Sequence, residues 1–363
     1  MRILYVLGTR PNLVKTAPVI AALRRRLPEA AHVVVHTGQH YDRLMSEIFF
    51  EELGVPEPDH MLEVGSGSHA QQTARVIERL EPVLEESRPD LVLVPGDVNS
   101  TLAAALTAAK LDIPVGHIES GLRSFDRTMP EELNRIVADQ LSDHLFLHSE
   151  EAIENLGREG IPGERMQFVG NTMIDTLIRL EDRFRSAGAA GRVGVERGGY
   201  LLVTLHRPAM VDGPLLGETM ERLAEVAERL PVVFPVHPRT RKMLAPQEAA
   251  TPRLRLIDPV GYLDFLSLEA DAAGVLTDSG GIQEETTYLG VPCFTLRDNT
   301  ERPVTIRAGT NTLLGLDPEA ITGIPHALES SPPAPGEPPP LWDGRASERI
   351  ADVVASLPAA VAA

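Results

Sequence analysis

The sequence predicts an α/β protein made of two domains of parallel sheet, and three observations carry that expectation. Short apolar runs alternate with amphipathic stretches from Ile3 onward, the pattern of βα units rather than of hairpins. Apolar residues make up 43% of the chain and aromatics only 4%, which suits aliphatic strands buried on both faces. At 363 residues the chain can bury two cores, and the alternation restarts after the Ala- and Gly-rich stretch Ser186 to Arg192. Domains are therefore expected over 1–185 and 192–340.

The net charge of −18 repels nucleic acid and anionic membranes. Basic groups for an anionic ligand must then be local, and Arg10, Lys15, Arg302 and Arg307 are the candidates. Cys293 is the single cysteine, so no disulfide and no cysteine-based metal site are expected. The chain enters a strand at Ile3 and has no apolar run of about 18 residues. A cytoplasmic, soluble protein is the expectation.

In the first half, strands are expected at Arg2 to Leu7, His32 to His36, Asp90 to Val94, Pro114 to Ile118 and Phe168 to Gly170. Helices are expected at Lys15 to Arg26, Gln71 to Glu86, Thr101 to Lys110, from Pro130, at Glu150 to Glu159 and at Asn171 to Arg185. Gly8-Thr9-Arg10-Pro11 reads as a turn that sets two cations, Arg10 and Lys15, beside flexible backbone. Thr37 to Asp42 reads as a loop lining a cleft, because Gly38 argues against a helical metal-binding pair of His36 and His40. Gly65 to Ala70 matches a dinucleotide fingerprint in form only, with no strong strand before it. Asp97 and Glu119 each end a strand, where open α/β sheets bind ligands. Glu131 and Glu132 open the helix after Pro130, which is also ordinary helix-start chemistry. Acids gathered in one crevice raise one another's pKa values and supply both proton donor and acceptor. Arg123 and Arg135 are placed to moderate the repulsion, and His144 and His148 read as structural.

In the second half, strands are expected at Tyr200 to Leu205, Val232 to Val236, Leu254 to Ile257, Val275 to Thr277 and within Gly309 to Leu316. Helices are expected at Gly213 to Leu230, Leu263 to Ala270, Ile282 to Leu289 and Arg345 to Ser356, with a proline-rich linker at Ser330 to Pro340. His206 ends a strand, facing the acids of the first half if it is not a core histidine. Asp278-Ser279-Gly280-Gly281 joins strand to helix, and its unpaired N–H groups, helix dipole and two glycines suit a phosphate. The alternative is a simple helix cap. Glu284 and Glu285, one turn in, are placed to accept from ribose hydroxyls, which suggests a nucleoside diphosphate.

Together Gly8-Thr9-Arg10-Pro11, His36 to His40, Gly96-Asp97, His117 to Ser124, Pro130 to Arg135, Gly170-Asn171, Thr204 to Arg207, Asp278 to Glu285 and Thr300 to Pro303 closely resemble the non-hydrolysing UDP-N-acetylglucosamine 2-epimerases. The resemblance spans nearly the whole chain. It implies the glycosyltransferase-B architecture: two Rossmann-like domains, an interdomain cleft, and a C-terminal helix at 345–363 packing back on the first domain. It also implies a homodimer, a UDP-sugar substrate, and no metal or nicotinamide cofactor. Members eliminate UDP across C1–C2 and add it back after reprotonation on the other face. By resemblance, Asp97, Glu119 and Glu131 form the proton-transfer cluster, and which of them takes the C2 proton stays open. His206, Arg10 and Lys15 contact the diphosphate region, with Ser279, Gly280 and Gly281 donating backbone N–H groups. Glu285 holds the ribose, Arg302 supports the sugar side, Val260 and Phe265 border the uracil, and Arg135 belongs to the substrate-binding set.

Three departures bear on the sugar's substituents at C3, C4 or C6. Pro208 to Val211 replaces an Asn-containing segment of many relatives, Ser120 replaces the usual Ala, and Val304 stands where many have Glu. Gly65 to Ala70 and Asp42 differ from members activated by their own substrate, so that regulation is not expected. The alternatives are a 2-epimerase of a modified UDP-sugar such as a diacetamido uronic acid, a hydrolysing relative, a glycosyltransferase, or a UDP-sugar sensor.

Overall fold

The computed structural model describes residues 1–38, 50–207, 210, 213, 215–236, 240–241, 244, 253–330 and 338–358. The readings for Gln39 to Asp42, for Pro208, Ala209 and Val211, for His237 and Pro238, and for most of Ser330 to Pro340 fall outside them. Strands β1 (Arg2–Leu7), β2 (Ala31–His36), β3 (His60–Met61), β4 (Leu91–Pro95), β5 (Val115–Ser120), β6 (His144–Leu147) and β7 (Met166–Phe168) are parallel and run in the order β3-β2-β1-β4-β5-β6-β7. A second parallel sheet holds β8 (Leu201–Thr204), β9 (Val232–Pro235), β10 (Leu254–Ile257), β11 (Gly274–Thr277), β12 (Cys293–Thr295) and β13 (Asn311–Leu313), in the order β10-β9-β8-β11-β12-β13. In each, strand order reverses at one place, between β1 and β4 and between β8 and β11. Ligands of doubly wound folds bind outside the carboxyl ends of the strands at such a reversal.

Helices connect the strands: α1 (Arg10–Arg26), α2 (His69–Ser87), α3 (Asn99–Lys110), α4 (Pro130–Leu141), α5 (Glu150–Arg158) and α6 (Thr172–Ala187), then α7 (Ala189–Arg192), α8 (Leu215–Arg229), α9 (Tyr262–Ala270), α10 (Gly280–Leu289), α11 (Val304–Arg307), α12 (Ile324–Ser330) and α13 (Ala346–Ser356). Strands β4 and β5 are buried along their whole length, as expected where helices cover both faces of a sheet. In the first core, Leu4, Val6, Val92, Val94 and Val115 meet Val76, Leu80 and Leu84 of α2 and the buried Ala103, Ala104, Ala105 and Ala108 of α3. Each such Leu or Val contributes about 1.5–3 kcal/mol relative to exposure, and the alanines let α3 sit close to both α2 and α4.

The chain divides into two compact units, Met1–Arg179 with Pro340–Ala363, and Leu180–Pro339. The division falls within α6 instead of at Ser186 to Arg192, where α7 forms and Ala189 and Ala190 pack into the second unit's core. Small residues serve close packing as well as flexible joints. In the first unit α13 packs on α1, and Asp175 accepts from the N–H groups of Ala346 (3.1 Å) and Ser347 (2.6 Å) at its start. Trp342 is buried beside it and donates from Nε1 to the carbonyl of His148 at 2.9 Å. Gly170 is obligatory here: its φ is +93° and a Cβ would fall on the Leu341 carbonyl oxygen.

Helix α1 begins at Arg10, five residues before the sequence expectation. Asn12 Oδ1 accepts from Gly8 N and Thr9 N, both at 3.1 Å, so the expected turn is the helix's own capped first turn. Among the described residues no helix is long and apolar enough to cross a membrane.

Candidate active site

At the end of β5 the pairing with β6 slips between Ile118 and Ser120. Glu119, at the slip, has φ +66°. A left-handed conformation in a non-glycine residue costs about 1–3 kcal/mol and persists only where neighbours over-determine it. Lys15, from α1, reaches the side chain, with Nζ 2.8 Å from both Glu119 Oε1 and Oε2. The two side chains are 6% and 4% exposed, so this is a buried ion pair. Gly96, just past β4, has φ +64°, and a Cβ on it would lie 3.1 Å from Lys15 Nζ. Lys15 thus sits against the β4 and β5 ends, engaged with Glu119.

Asp97 follows Gly96, and its carboxylate is ion-paired with Arg135 Nη2. The other arm of the same guanidinium, Nη1, reaches Glu132 Oε2 at 2.6 Å. Glu132 also accepts from Ser124 N (2.9 Å), Ser124 Oγ (2.9 Å) and Phe125 N (2.8 Å), which makes it the anchor of the loop after β5. Glu131, half-buried in the first turn of α4, has a carboxylate with no hydrogen bond or ion pair among the described residues. Asn134 Nδ2 donates to the Asp97 carbonyl at 2.9 Å. Arg135 therefore bridges Asp97 and Glu132. Arg123 instead pairs with Asp139 (2.7 Å) and Glu159 (2.6 Å). Arg10 is exposed in the first turn of α1.

In the second unit, β8 and β11 are paired neighbours with Thr204 beside Thr277. Asp278, fully buried after β11, accepts from His206 N (3.0 Å), Arg207 N (2.8 Å) and His206 Nδ1 (2.8 Å). Burial pushes its carboxyl up, and the contacts from His206 and Arg207 outweigh burial to hold it below the usual range. Asp278 is thus the clamp between the two strand ends, and Ser279 is the N-cap of α10. His206 is 61% exposed, with Nε2 making no hydrogen bond among the described residues. The first N–H groups of α10 belong to Gly280, Gly281 and Ile282, where an anion is favoured by the helix dipole.

Under that helix start lies a buried charge chain. Arg302 donates from Nε to Glu284 Oε1 (2.7 Å) and from Nη1 to Glu301 Oε1 (2.5 Å), and Arg297 Nη2 reaches Glu301 Oε2 at 2.7 Å. Beside it Gln283 Oε1 accepts from Thr300 Oγ1 (2.6 Å) and Asn311 Nδ2 (3.0 Å). The Arg302 side chain is thereby fixed inside the unit. Val260 and Phe265 are half-buried against the cluster that holds Tyr200, Leu202, Val275 and Ile282.

Glu285 is buried and accepts from Tyr262 Oη at 2.7 Å. Burial pushes its carboxyl up to about 7, and burial together with Glu285 raises the neighbouring Glu269 well above the usual range. The unfolded chain gives up the Glu285 proton near pH 4.5, while the folded chain keeps it until about pH 7. Stability is therefore lost as pH rises across that window, and the loss persists above it. Glu285→Gln, which keeps an acceptor for Tyr262, is expected to gain several degrees of melting temperature over the parent at pH 8 and less at pH 4. Thermal melts at the two pH values check it, and equal shifts would contradict it.

Tyr262, Glu269, Glu301, Arg297, His117 and Asp139 are site-supporting residues to which the sequence reading gave no role. Glu301 and His117 lie inside the quoted motifs, but nothing local marks their partners.

The model of a family described as UDP-N-acetylglucosamine 2-epimerase matches residues 22–355. The UDP-N-acetylglucosamine 2-epimerase of Methanocaldococcus jannaschii is 43% identical over 332 residues, covering 88% of this chain and 90% of that protein. The UDP-2,3-diacetamido-2,3-dideoxy-D-glucuronate 2-epimerase of Pseudomonas aeruginosa is 41% identical over 367 residues, covering 98% of this chain and 100% of that protein. Among solved structures, the M. jannaschii UDP-GlcNAc 2-epimerase in complex with UDP-GlcNAc and UDP is similar with a TM-score of 0.88 and 39% identity, covering 98% of this chain and 99% of that one. With two doubly wound units and these matches along nearly its whole length, the chain belongs to the UDP-N-acetylglucosamine 2-epimerase family.

Proposed function

We propose that this chain interconverts UDP-N-acetylglucosamine and UDP-N-acetylmannosamine. The C2 proton of the sugar is not α to a carbonyl, so simple deprotonation is too costly. In the proposed route a carboxylate takes the C2 proton as the C1–O bond breaks, and the bonding pair leaves on the β-phosphate oxygen of UDP. The resulting 2-acetamidoglucal is reprotonated on the opposite face and UDP adds back. That route needs acid/base groups on rigid backbone and a positive cradle for the leaving diphosphate. The observation that carries the reading is Glu119, in left-handed backbone at the end of β5 and in a buried ion pair with Lys15. Asp97 and Glu131 complete the proton-handling set. His206 and Arg10 contact the diphosphate, and Ser279, Gly280 and Gly281 cradle it. Glu285 takes the ribose, with Val260 and Phe265 at the uracil. Arg302 acts by bracing the Gly280 turn.

The P. aeruginosa relative, matched over its full length, favours a second substrate, a UDP-linked diacetamido uronic acid, and Ser120 and Val304 are positions where such a preference would be written. A UDP-sugar substrate also favours the cytoplasm, in keeping with the free, buried Cys293. A homodimer is the expected assembly, testable by light scattering.

Incubating the protein with each UDP-sugar in deuterated water tests the reading. Deuterium at C2 of a UDP-linked product is the expected result, and the better of the two substrates identifies the sugar. Free N-acetylmannosamine with equimolar UDP would make the protein a hydrolase instead, and no exchange with either sugar would overturn the proposal.

A further inference from the structure

We propose that His117 is a positioning residue for the acids at the ends of β4 and β5, acting through the Gly96 carbonyl. The inference rests on the reading that Asp97 and Glu119 handle protons. His117 lies on β5 two residues before Glu119, and its side chain is fully buried. Nε2 is 2.6 Å from the Gly96 carbonyl oxygen and Nδ1 is 2.7 Å from Asp139 Oδ1. A backbone carbonyl can only accept, so Nε2 carries the N–H of the Gly96 contact.

The Nδ1 side is a fixed mount. Asp139 Oδ2 is 2.7 Å from Arg123 Nη1 and accepts from Gly121 N at 3.1 Å. Arg123 in turn donates from Nε and Nη2 to the two Glu159 oxygens at 2.7 and 2.6 Å. Burial pushes the Asp139 carboxyl up, and the His117 and Arg123 contacts more than offset it, holding it ionised below the usual range. A ring anchored this firmly at one nitrogen presents the other with little freedom.

What that second nitrogen holds is the peptide group between Gly96 and Asp97. The peptide bond is planar, so fixing its oxygen also fixes the Asp97 nitrogen and the direction in which Asp97 leaves the strand. Gly96 N donates to the Ile118 carbonyl at 2.9 Å. Gly96 is thereby tied to β5 through both its N–H and its C=O, one bond on each side of the residue that precedes Asp97. Lys15 Nζ, the partner of Glu119, lies against the same glycine. One buried ring therefore sets the spacing of two acids that are 22 residues apart in sequence.

Two amides of different reach separate this role from simple core filling. In His117→Asn the amide nitrogen replaces Nδ1 and leaves the Gly96 carbonyl unbonded; in His117→Gln it replaces Nε2 and restores that bond. We expect His117→Asn to lose about 100-fold in kcat with KM within about threefold, and His117→Gln to stay within about tenfold of the parent. Hydrogen exchange of peptides spanning Pro95 to Asn99 should be at least about tenfold faster in the Asn variant than in the Gln variant. Equal kcat and equal exchange in the two variants, or losses in both that merely follow melting temperature, would overturn the inference. If the parent transfers no deuterium to C2 of either sugar, the functional reading fails. The exchange difference at Pro95 to Asn99 then still decides whether His117 holds the Gly96–Asp97 peptide.

Discussion

Glu119→Gln is expected to lower kcat by about 10²- to 10⁴-fold, the range for losing a general acid or base. It should also destabilise the protein by about 3–5 kcal/mol, because Lys15 keeps its charge in a buried position with its carboxylate gone. These two losses have different causes and can be separated. In the double variant Lys15→Met, Glu119→Gln the buried charge is removed, so melting temperature should return close to the parent while activity stays low. Steady-state rates of C2 deuterium exchange and thermal melts on the same preparations provide the check. A Glu119→Gln variant that turned over within about fivefold of the parent would take this carboxylate out of the mechanism.

The second large effect is expected at Gly280. A Cβ there would fall on Arg302 Nη1 and lie 2.8 Å from both Arg302 Cζ and Glu301 Oε1. Arg302 has no room to yield, because Glu284 holds its Nε at 2.7 Å and Glu301 holds its Nη1. Gly280→Ala should therefore cost about 1–3 kcal/mol of stability by overpacking. It should also weaken UDP binding by about 10- to 100-fold, as the helix start moves off the diphosphate. Gly217 in α8, where an added Cβ meets nothing within 4 Å, provides the control: Gly217→Ala should be neutral or stabilising by about 0.5–1 kcal/mol. Calorimetric titration with UDP reads the binding, and unchanged affinity in Gly280→Ala would mean that the α10 start does not hold the phosphates.

Much of the fold was legible because its signals are local. Apolar runs of four to six residues closed by Gly, Pro or Asp mark strand ends in a single pass. Strands β1, β4, β5, β8, β9, β10 and β11 lie within a residue or two of their expected bounds. Helix starts were less legible. Helices α1 and α10 open at Arg10 and Gly280, earlier than expected, because glycine and proline read as turn residues until a cap turns them into a first helical turn. The short strand β3 and the short helices α7, α11 and α12 carry too few residues for a periodic pattern.

The candidate residues divide along the same line. That Asp97, Glu119, His206 and Ser279 to Gly281 sit at strand ends follows from the sequence alone, because strand ends are local features. Which charge meets which does not follow, because a partner's distance along the chain carries no information about its distance in space. Lys15 reads as a phosphate contact beside Arg10, and only the packing of α1 over the ends of β4 and β5 sets it on Glu119, 104 residues away. Arg123 and Arg135 read alike in sequence, yet the fold gives one to Asp139 and Glu159 and the other to Asp97 and Glu132. The left-handed backbone of Glu119 is likewise invisible in its neighbours, because it arises where β5 slips against β6. The amino-acid order thus determined which chemistry the chain carries and at which strand ends. The tertiary structure decided the ionic partner and backbone state of each acid, since burial and long-range pairing exist only once the sheets have formed.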